Sequence, residues 1–507
     1  MKLNKSIGLI ALGGVGGVLI SLGLTAVAQR DARGPLPLEE IRAFTDVFGA
    51  VKSNYVEPVE DKKLIAGAIQ GMLQDLDPHS QYLDADAFKD LQVGTQGEFG
   101  GLGIEVGTED GFIKVQSPID DTPASRAGIK SGDLIIRIDD KSTKGLTLQE
   151  AVKLMRGKPN TTITLTVSRK DNPVPMVFTL NRAVIKVQSV RSKMLEPGYA
   201  WVRVTQFQER TVENLVTHLN KAVEAGPVKG LVLDLRNDPG GLLHGAVGVS
   251  AAFLPRDTLV VYTEGRTDEN RRKYFANPED YRGLREDPLK KLNPVFTTLP
   301  MVVLVNSGTA SASEIVAGAL QDHGRAKIIG TQSFGKGSVQ TIFPLSQSTG
   351  IKLTTARYFT PKGNAIQAKG IEPDFLVEET PDGDIFASLR QREADIERHL
   401  TGKNETIADG KNAEQRAREL VERAEKIEKL RAEGRKPIEF GSAEDHQLNQ
   451  AMNLLKGKPV QIAKPKPAMA SADKPEEKPS VMKKYVFFCH ETIGPNGSGL
   501  FCWSARY

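Results

Sequence analysis

Three stretches of this 507-residue chain hold residue types that can do chemistry. The first is Val305-Asn306-Ser307-Gly308-Thr309-Ala310-Ser311-Ala312-Ser313-Glu314-Ile315, an apolar strand that runs into a small-residue turn and then a helix beginning near Ser313 and Glu314. A hydroxyl in that turn sits exposed at the end of a sheet. The amides around it lie at the positive end of a helix dipole, where an oxyanion is stabilised. Serine and threonine also suit a helix N-cap, so the run alone does not single out a nucleophile. The second stretch, Ile328-Ile329-Gly330-Thr331-Gln332-Ser333-Phe334-Gly335-Lys336-Gly337-Ser338-Val339-Gln340, sets a lysine in a glycine-flanked loop. A lysine deprotonates a hydroxyl only when neutral, so its pKa must fall from about 10.4 to roughly 7–8, a difference of about 4 kcal/mol. Burial against Phe334 acts in that direction, and Gln340 is placed to orient the amine. The third stretch, Asp234-Leu235-Arg236-Asn237-Asp238-Pro239-Gly240-Gly241, ends a strand and turns sharply into a helix from Leu242. Its Pro-Gly-Gly backbone offers amides without side-chain obstruction.

Competing chemistries fit less well. Gly330, Gly335 and Lys336 match the spacing of a phosphate-binding loop, and Leu231 to Asp234 resembles a magnesium-binding strand. Gly337, however, stands where a Ser or Thr must ligate the metal, and Val339 to Pro344 reads as strand, so no helix dipole faces a phosphate. The seven histidines form no pair with metal-ligand spacing, and a catalytic zinc is not expected. Both cysteines, Cys489 and Cys502, lie in the last twenty residues, which excludes a cysteine nucleophile in the body of the chain. No cofactor is expected.

The elements that must position these loops can be read from pattern. Residues 36–93 keep helical spacing, through Ile41, Phe44, Val47, Phe48 and Val51 and again through Leu64, Ala68, Met72 and Leu73, with a turn at Asp77-Pro78-His79-Ser80. From 95 to 183 short β-type runs surround one amphipathic helix, Thr147 to Arg156, with Leu148, Val152 and Met155 on one face. Gly101-Leu102-Gly103-Ile104 opens that unit and resembles the carboxylate-binding loop of PDZ domains, in which a strand edge and free loop amides take an extended peptide. From 186 to 378 apolar strands alternate with helices, the pattern of a layered α/β domain, with a polar surface excursion at 265–295. Residues 385–456 are charged and helical in pattern, and 457–507 read as a Pro- and Lys-rich flexible tail in which the two cysteines can pair.

Composition is that of a soluble globular protein, 39% apolar and 26% charged, with room for about three domains. The net charge of +4 sits in the tail, and aromatics at 6% supply no base-stacking platform, so no nucleic-acid partner is expected. Residues 1–28 join a basic start (Lys2, Lys5) to an apolar run ending Ala26-Val27-Ala28, which reads as an export signal, cleaved or retained as a membrane anchor.

Together these motifs resemble the carboxy-terminal processing peptidases, or tail-specific proteases. The matching residues are Asp77 to Ser80, Gly101 to Ile104, Asp234 to Gly241, Gly308 to Glu314 and Phe334 to Gln340, in the family's order across residues 36–378. Thr309 and Asp238 depart from it, standing where the family often has Ser and Asn. The resemblance implies Ser311 as nucleophile, Lys336, 25 residues on, as base, and Gln340 as its helper. The Ala312 amide, with that of Gly240 or Gly241, would form the oxyanion hole, and Gly101 to Ile104 with Leu148 and Val152 would line the peptide groove. The implied fold is an α/β and α+β multidomain one: an N-terminal helical dimerisation region, an inserted PDZ domain, a crotonase-like α/β protease core, then C-terminal helices and a disordered tail. The implied activity is that of an exported, periplasmic serine endopeptidase. It would bind protein substrates by their C-termini for processing or degradation of envelope proteins, as a homodimer or higher assembly and with an adaptor in some relatives. Arg169, after a long strand of the PDZ unit, is a candidate contact between that unit and the core. The alternative reading is a peptide-binding scaffold with an inert core.

Overall fold

The computed structural model describes residues 36–401 apart from 110, 171, 284, 382 and 384–390, and then 425, 438–463, 487–494 and 497–504. The expected export segment and, within the charged segment 385–456, residues 385–390, 402–424 and 426–437 lie outside the described residues.

The catalytic-pattern loops hang from one sheet. Its strands run in chain order: Val190–Glu196, Tyr199–Val204, Gly230–Asp234, Met301–Val305, Lys327–Gly330 and Phe375–Leu376. All pairings after the first are parallel. Parallel strands must be covered on both faces, which is why Gly230–Asp234 and Met301–Val305 read as unbroken apolar runs and are buried throughout. The period of two splits them. Leu231, Leu233, Val303 and Val305 face a large core under the helices Thr211–Glu224, Leu243–Ala251 and Ala312–Asp322. Trp201, Val232, Val302, Leu304 and Ile329 face the other way, where Leu448, Ala451 and Met452 of the helix His446–Leu455 cover them.

A second sheet stands beside this one. Gly350–Phe359 is its central strand, flanked by Gln81–Leu83, Leu259–Gly265 and Ser338–Pro344, with Arg272–Phe275 on the far edge. The expected surface excursion at 265–295 is therefore corrected in part. Arg272–Phe275 pairs with Leu259–Gly265, and its first two residues are exposed, which an edge strand tolerates and which hid it in the polar sequence.

The N-terminal arm comprises the helices Leu38–Asn54, Asp61–Gln74 and Ala85–Gln96. Asp77 joins the arm to the second sheet: its carboxylate accepts from the amides of His79 (2.8 Å) and Ser80 (2.9 Å), from the Ser80 hydroxyl (2.7 Å) and from Thr354 Oγ1 (3.0 Å). The PDZ unit is a sheet of Ile104–Glu109, Phe112–Pro118, Leu134–Ile138, Thr162–Arg169 and Asn172–Asn181, with Lys141–Ser142 paired to its third strand. The helix Leu148–Met155 begins at a capping box in which Thr147 and Glu150 satisfy each other's amides. Glu98–Gly101 pairs with Ala183–Lys186 where the chain enters and leaves this unit.

Residues up to 462 form one compact unit. The expected start of the tail at 457 is corrected on that ground: Gln461 donates its N–H to Gln450 Oε1 (2.8 Å), and Val460 packs against the outer core. Within the tail, the expected irregular chain gives way to two paired strands, Phe487–Gly494 and Gly497–Ser504, which set Cys489 and Cys502 opposite each other.

The outer helix is held by charge as well as by apolar contact. Arg236 is 1% exposed and makes bidentate bonds to Asp234 (2.9 and 2.6 Å) and to Asp445 (2.8 and 2.6 Å), with the Phe440 ring 4.1 Å from its guanidinium. Asp445 also caps the helix through the Leu448 amide. Asp445→Ala leaves a buried guanidinium half-compensated, and is expected to cost about 3–5 kcal/mol. Thermal melting of this variant should show that loss, and limited proteolysis should cut first around 438–455.

Candidate active site

Three adjacent parallel strands end side by side, and each of the three sequence motifs is the loop that follows one of them: 235–241, 306–311 and 331–337. Ligand sites in open α/β sheets occupy this position outside the carboxyl ends of the strands. The loops are stitched together by short polar contacts. Asn237 and Asn306 exchange bonds of 2.9 Å, Thr309 Oγ1 donates to the Leu235 carbonyl (2.8 Å), and Ala310 N–H donates to the Asp238 carbonyl (2.9 Å). Phe334 N–H donates to the Thr309 carbonyl at 2.9 Å, which brings the lysine loop against the serine loop.

Ser311 is half-buried and sits at φ 56°, ψ −115°, immediately before the helix Ala312–Asp322. A non-glycine residue rarely adopts positive φ; where one does, at a strand-to-helix turn, the side chain is thrust out of the turn as in a nucleophile elbow. The strain is held by Glu314, which is fully buried. One of its oxygens accepts from the amides of Ser311 (2.8 Å) and Lys336 (2.9 Å), the other from the Gly335 amide (2.7 Å) and the Ser333 hydroxyl (2.5 Å). Burial pushes this carboxyl up to about 7, against those four donors, which favour its charged form. A single carboxylate thus fixes the backbone of both the serine and the lysine.

The Lys336 side chain is held well below the ordinary lysine pKa, first by burial and then by the positive charge of Lys352. Among the described residues no carboxylate pairs with its ammonium. Tyr358, 2% exposed, donates its hydroxyl to the Lys336 carbonyl. Burial holds that phenol far above its usual pKa, so it serves as a neutral donor. Gln340 donates its side-chain amide to Ser338 Oγ (3.0 Å) and Thr354 Oγ1 (3.3 Å).

The glycine pair divides its roles. Gly240, at φ 93°, lies so close to the serine turn that a Cβ on it would meet the Ala310 carbonyl at 2.6 Å and the Ala312 nitrogen at 2.8 Å. Its own N–H is taken by Asp238 Oδ1 (2.8 Å), so Gly240 is not the amide that faces a substrate. Among the described residues the Gly241 and Ala312 amides have no acceptor. In the PDZ unit, Ile104–Glu109 is an edge strand beside the helix carrying Leu148 and Val152; Leu148 is exposed and Val152 half-buried. The Leu102 and Gly103 amides likewise have no acceptor among the described residues. Arg169, expected to reach toward the core, makes its bidentate bond to Asp133 (2.7 and 2.8 Å) and a third to the Gly128 carbonyl (2.9 Å), all inside the PDZ unit.

Sequence reasoning quoted Glu314 within its motif but gave it no role, because a helix-start glutamate reads as a capping residue. Tyr358 carried no local signal at all; its strand meets the lysine loop only through sheet pairing.

Asp238 explains one departure from the family pattern. The side chain is fully buried, burial pushes its pKa up to about 8, and Oδ2 has no partner. A protonated aspartate offers one acceptor and one donor, as asparagine does, so the two residues are interchangeable while the proton stays on. The unfolded chain loses this proton near the ordinary aspartate value, while the native state keeps it until about 8. Stability is therefore lost progressively as pH rises through that window. Asp238→Asn should match the wild type near pH 4 in denaturant titrations and exceed it above pH 8; equal stability at both ends would contradict the assignment.

Comparison with known proteins agrees with this geometry. Residues 198–377 match the profile of peptidase family S41, residues 100–193 a PDZ domain, and residues 23–87 the N-terminal domain of the activating protease CtpB. The carboxy-terminal-processing protease of Bartonella bacilliformis is 41% identical over 89% of this chain and 96% of its own length. The carboxy-terminal processing protease CtpA of Bacillus subtilis is 36% identical over 69% of this chain and 70% of its own. With a serine turn, a buried lysine and a PDZ domain on the chain, and a relative 41% identical over 89% of it, the protein belongs to the carboxy-terminal processing proteases, PDZ-containing serine peptidases of family S41.

Proposed function

We propose that this peptidase is an exported endopeptidase in which Ser311 is the nucleophile and Lys336 its general base. The observation that carries the reading is the shared carboxylate of Glu314, which binds the Ser311 and Lys336 amides on one oxygen. Neutral Lys336 takes the Ser311 proton as Oγ bonds to the scissile carbonyl carbon. The carbonyl oxygen gains the negative charge and is met by the Ala312 and Gly241 amides, the former at the N-terminus of an eleven-residue helix. Collapse of this intermediate breaks the C–N bond, and the lysine ammonium returns its proton to the leaving amine. Water, deprotonated by the same lysine, then releases the acyl group from Ser311. Tyr358 holds the lysine backbone through the Lys336 carbonyl.

Substrates are selected by their C-termini. The open edge of Ile104–Glu109 offers main-chain pairing, and the unpartnered Leu102 and Gly103 amides suit a terminal carboxylate. Residues 1–28 direct export to the periplasm, where envelope proteins are the substrates. The helix Leu38–Asn54 buries no residue and exposes Phe44 and Val47, which supports pairing of the arm with a second copy of the chain.

The test is digestion of an unstructured protein ending in apolar residues, without nucleotide or metal. Ser311→Ala and Lys336→Ala should each abolish cleavage; cleavage surviving Ser311→Ala, or stopped by a chelator, sinks the reading. The base also sets the pH profile. Because only neutral lysine works, kcat/KM should rise with pH through the lowered pKa of Lys336. Lys352→Met removes a charge that lowers it, and should move the rising limb to higher pH; an unmoved limb would show that another group titrates.

A further inference from the structure

Lys336 is held from a second side by residues remote in sequence. The Gly337 amide donates to Gln367 Oε1 (2.9 Å), the Gln367 amide nitrogen donates to Glu393 Oε1 (2.9 Å), and Glu393 meets His79 Nε2 with both oxygens at 2.9 Å. Glu393 is 0% exposed and Gln367 2%, while the His79 side chain is 16% exposed. A buried carboxylate is costly unless paired, and here the partner comes from the N-terminal arm, on the turn anchored by Asp77. The same segment straps the loop through its backbone. Glu393 N–H donates to the Phe334 carbonyl (3.1 Å), and Arg392 donates to the carbonyls of Ser333 (3.3 Å), Ala368 (3.3 Å) and Lys369 (2.7 Å).

We infer that His79, Glu393 and Gln367 are positioning residues for the reaction, a hydrogen-bonded relay that sets the lysine loop from the N-terminal arm. The inference rests on the reading of Lys336 as the base. The amides of Gly335, Lys336 and Gly337 are consecutive, and all three are taken by side-chain oxygens, the first two by Glu314 and the third by Gln367. Glu314 alone leaves the loop free to pivot on that carboxylate. Capture of the next amide from Gln367 removes the pivot and fixes the direction in which the lysine side chain leaves the backbone. Gly337 cannot be pinned by packing of a side chain of its own: a Cβ there would stand 2.3 Å from the Gln367 nitrogen. Gln367 is in turn oriented by Glu393, since the amide must present oxygen to Gly337 and nitrogen to the carboxylate. His79 fixes the carboxylate. None of the three touches substrate.

The experiment measures the rate and the final extent of Ser311 labelling by a fluorophosphonate probe, with kcat and KM on a peptide, for full-length wild type, Glu393→Ala, Gln367→Ala, His79→Ala and Glu393→Gln. A misdirected base slows chemistry without altering peptide binding. The three alanine variants should label to full extent but slowly, with kcat down by roughly ten- to a hundredfold and KM within about twofold of wild type. Glu393→Gln keeps an acceptor for Gln367 and a donor for neutral His79, and should recover most of kcat. Reduced labelling extent at unchanged rate would mean a misfolded fraction and overturn the relay, as would alanine variants with wild-type kcat or an equal loss in Glu393→Gln and Glu393→Ala. Labelling of Ser311→Ala would instead overturn the reading of the nucleophile, and is run as the control that separates the two.

Discussion

One buried carboxylate organises the active site. Glu314 sits at the start of its helix and accepts four hydrogen bonds from two loops that belong to different strands. Each loop alone is rich in small residues and has many conformations; sharing an acceptor inside a dry site removes that freedom at once. The strained backbone of Ser311 persists because its amide is one of the four donors, so the geometry of the serine turn and that of the lysine loop stand or fall together. The same burial that strengthens these bonds raises the carboxyl toward neutrality and depresses the lysine, which gives one desolvated environment two uses.

The carboxylate can do this because the sheet brings both loops to it. Parallel pairing of Met301–Val305 with Lys327–Gly330 places their carboxyl ends one strand apart, and Gly230–Asp234 on the other side adds the glycine pair. The sheet is rigid since both of its faces are covered, the inner by three helices and the outer by His446–Leu455, docked through Arg236 and Asp445. The second sheet then closes over the lysine loop, with Tyr358 delivered by pairing of Gly350–Phe359 against Ser338–Pro344. Scaffold and site are one construction, in which polar contacts between loops replace the side-chain packing that small residues cannot provide.

Much of this was legible in the residues. Uninterrupted apolar runs such as Leu231 to Asp234 and Met301 to Val305 announce buried parallel strands, and a lysine among glycines beside a Ser-Ala-Ser-Glu helix start announces the chemistry. The PDZ unit shows in its strand spacing and its one strongly amphipathic helix. Less legible was anything that depends on two distant segments. The bonds of Gln340 to Ser338 and Thr354, beside a bulge between Val339 and Gln340 in the pairing with Gly350–Phe359, are of this kind. Gly240 and Gly241 were equivalent in sequence; one hydrogen bond, donated by Gly240 to Asp238, separates them. Arg272–Phe275 was hidden because an edge strand needs no apolar face on its open side.

The sequence by itself determined the order of the modules and the family, because period, turn chemistry and motif spacing are local properties of the chain. Tertiary structure decided that the Gly240 amide is taken by Asp238, which groups depress the lysine, and that Glu314, Tyr358, Gln367, Glu393 and His79 converge on one loop. Residues 79 and 393 are separated by more than three hundred positions and meet at 2.9 Å. Desolvation and long-range hydrogen bonding arise only when such segments are folded together, so no reading of neighbours along the chain contains them.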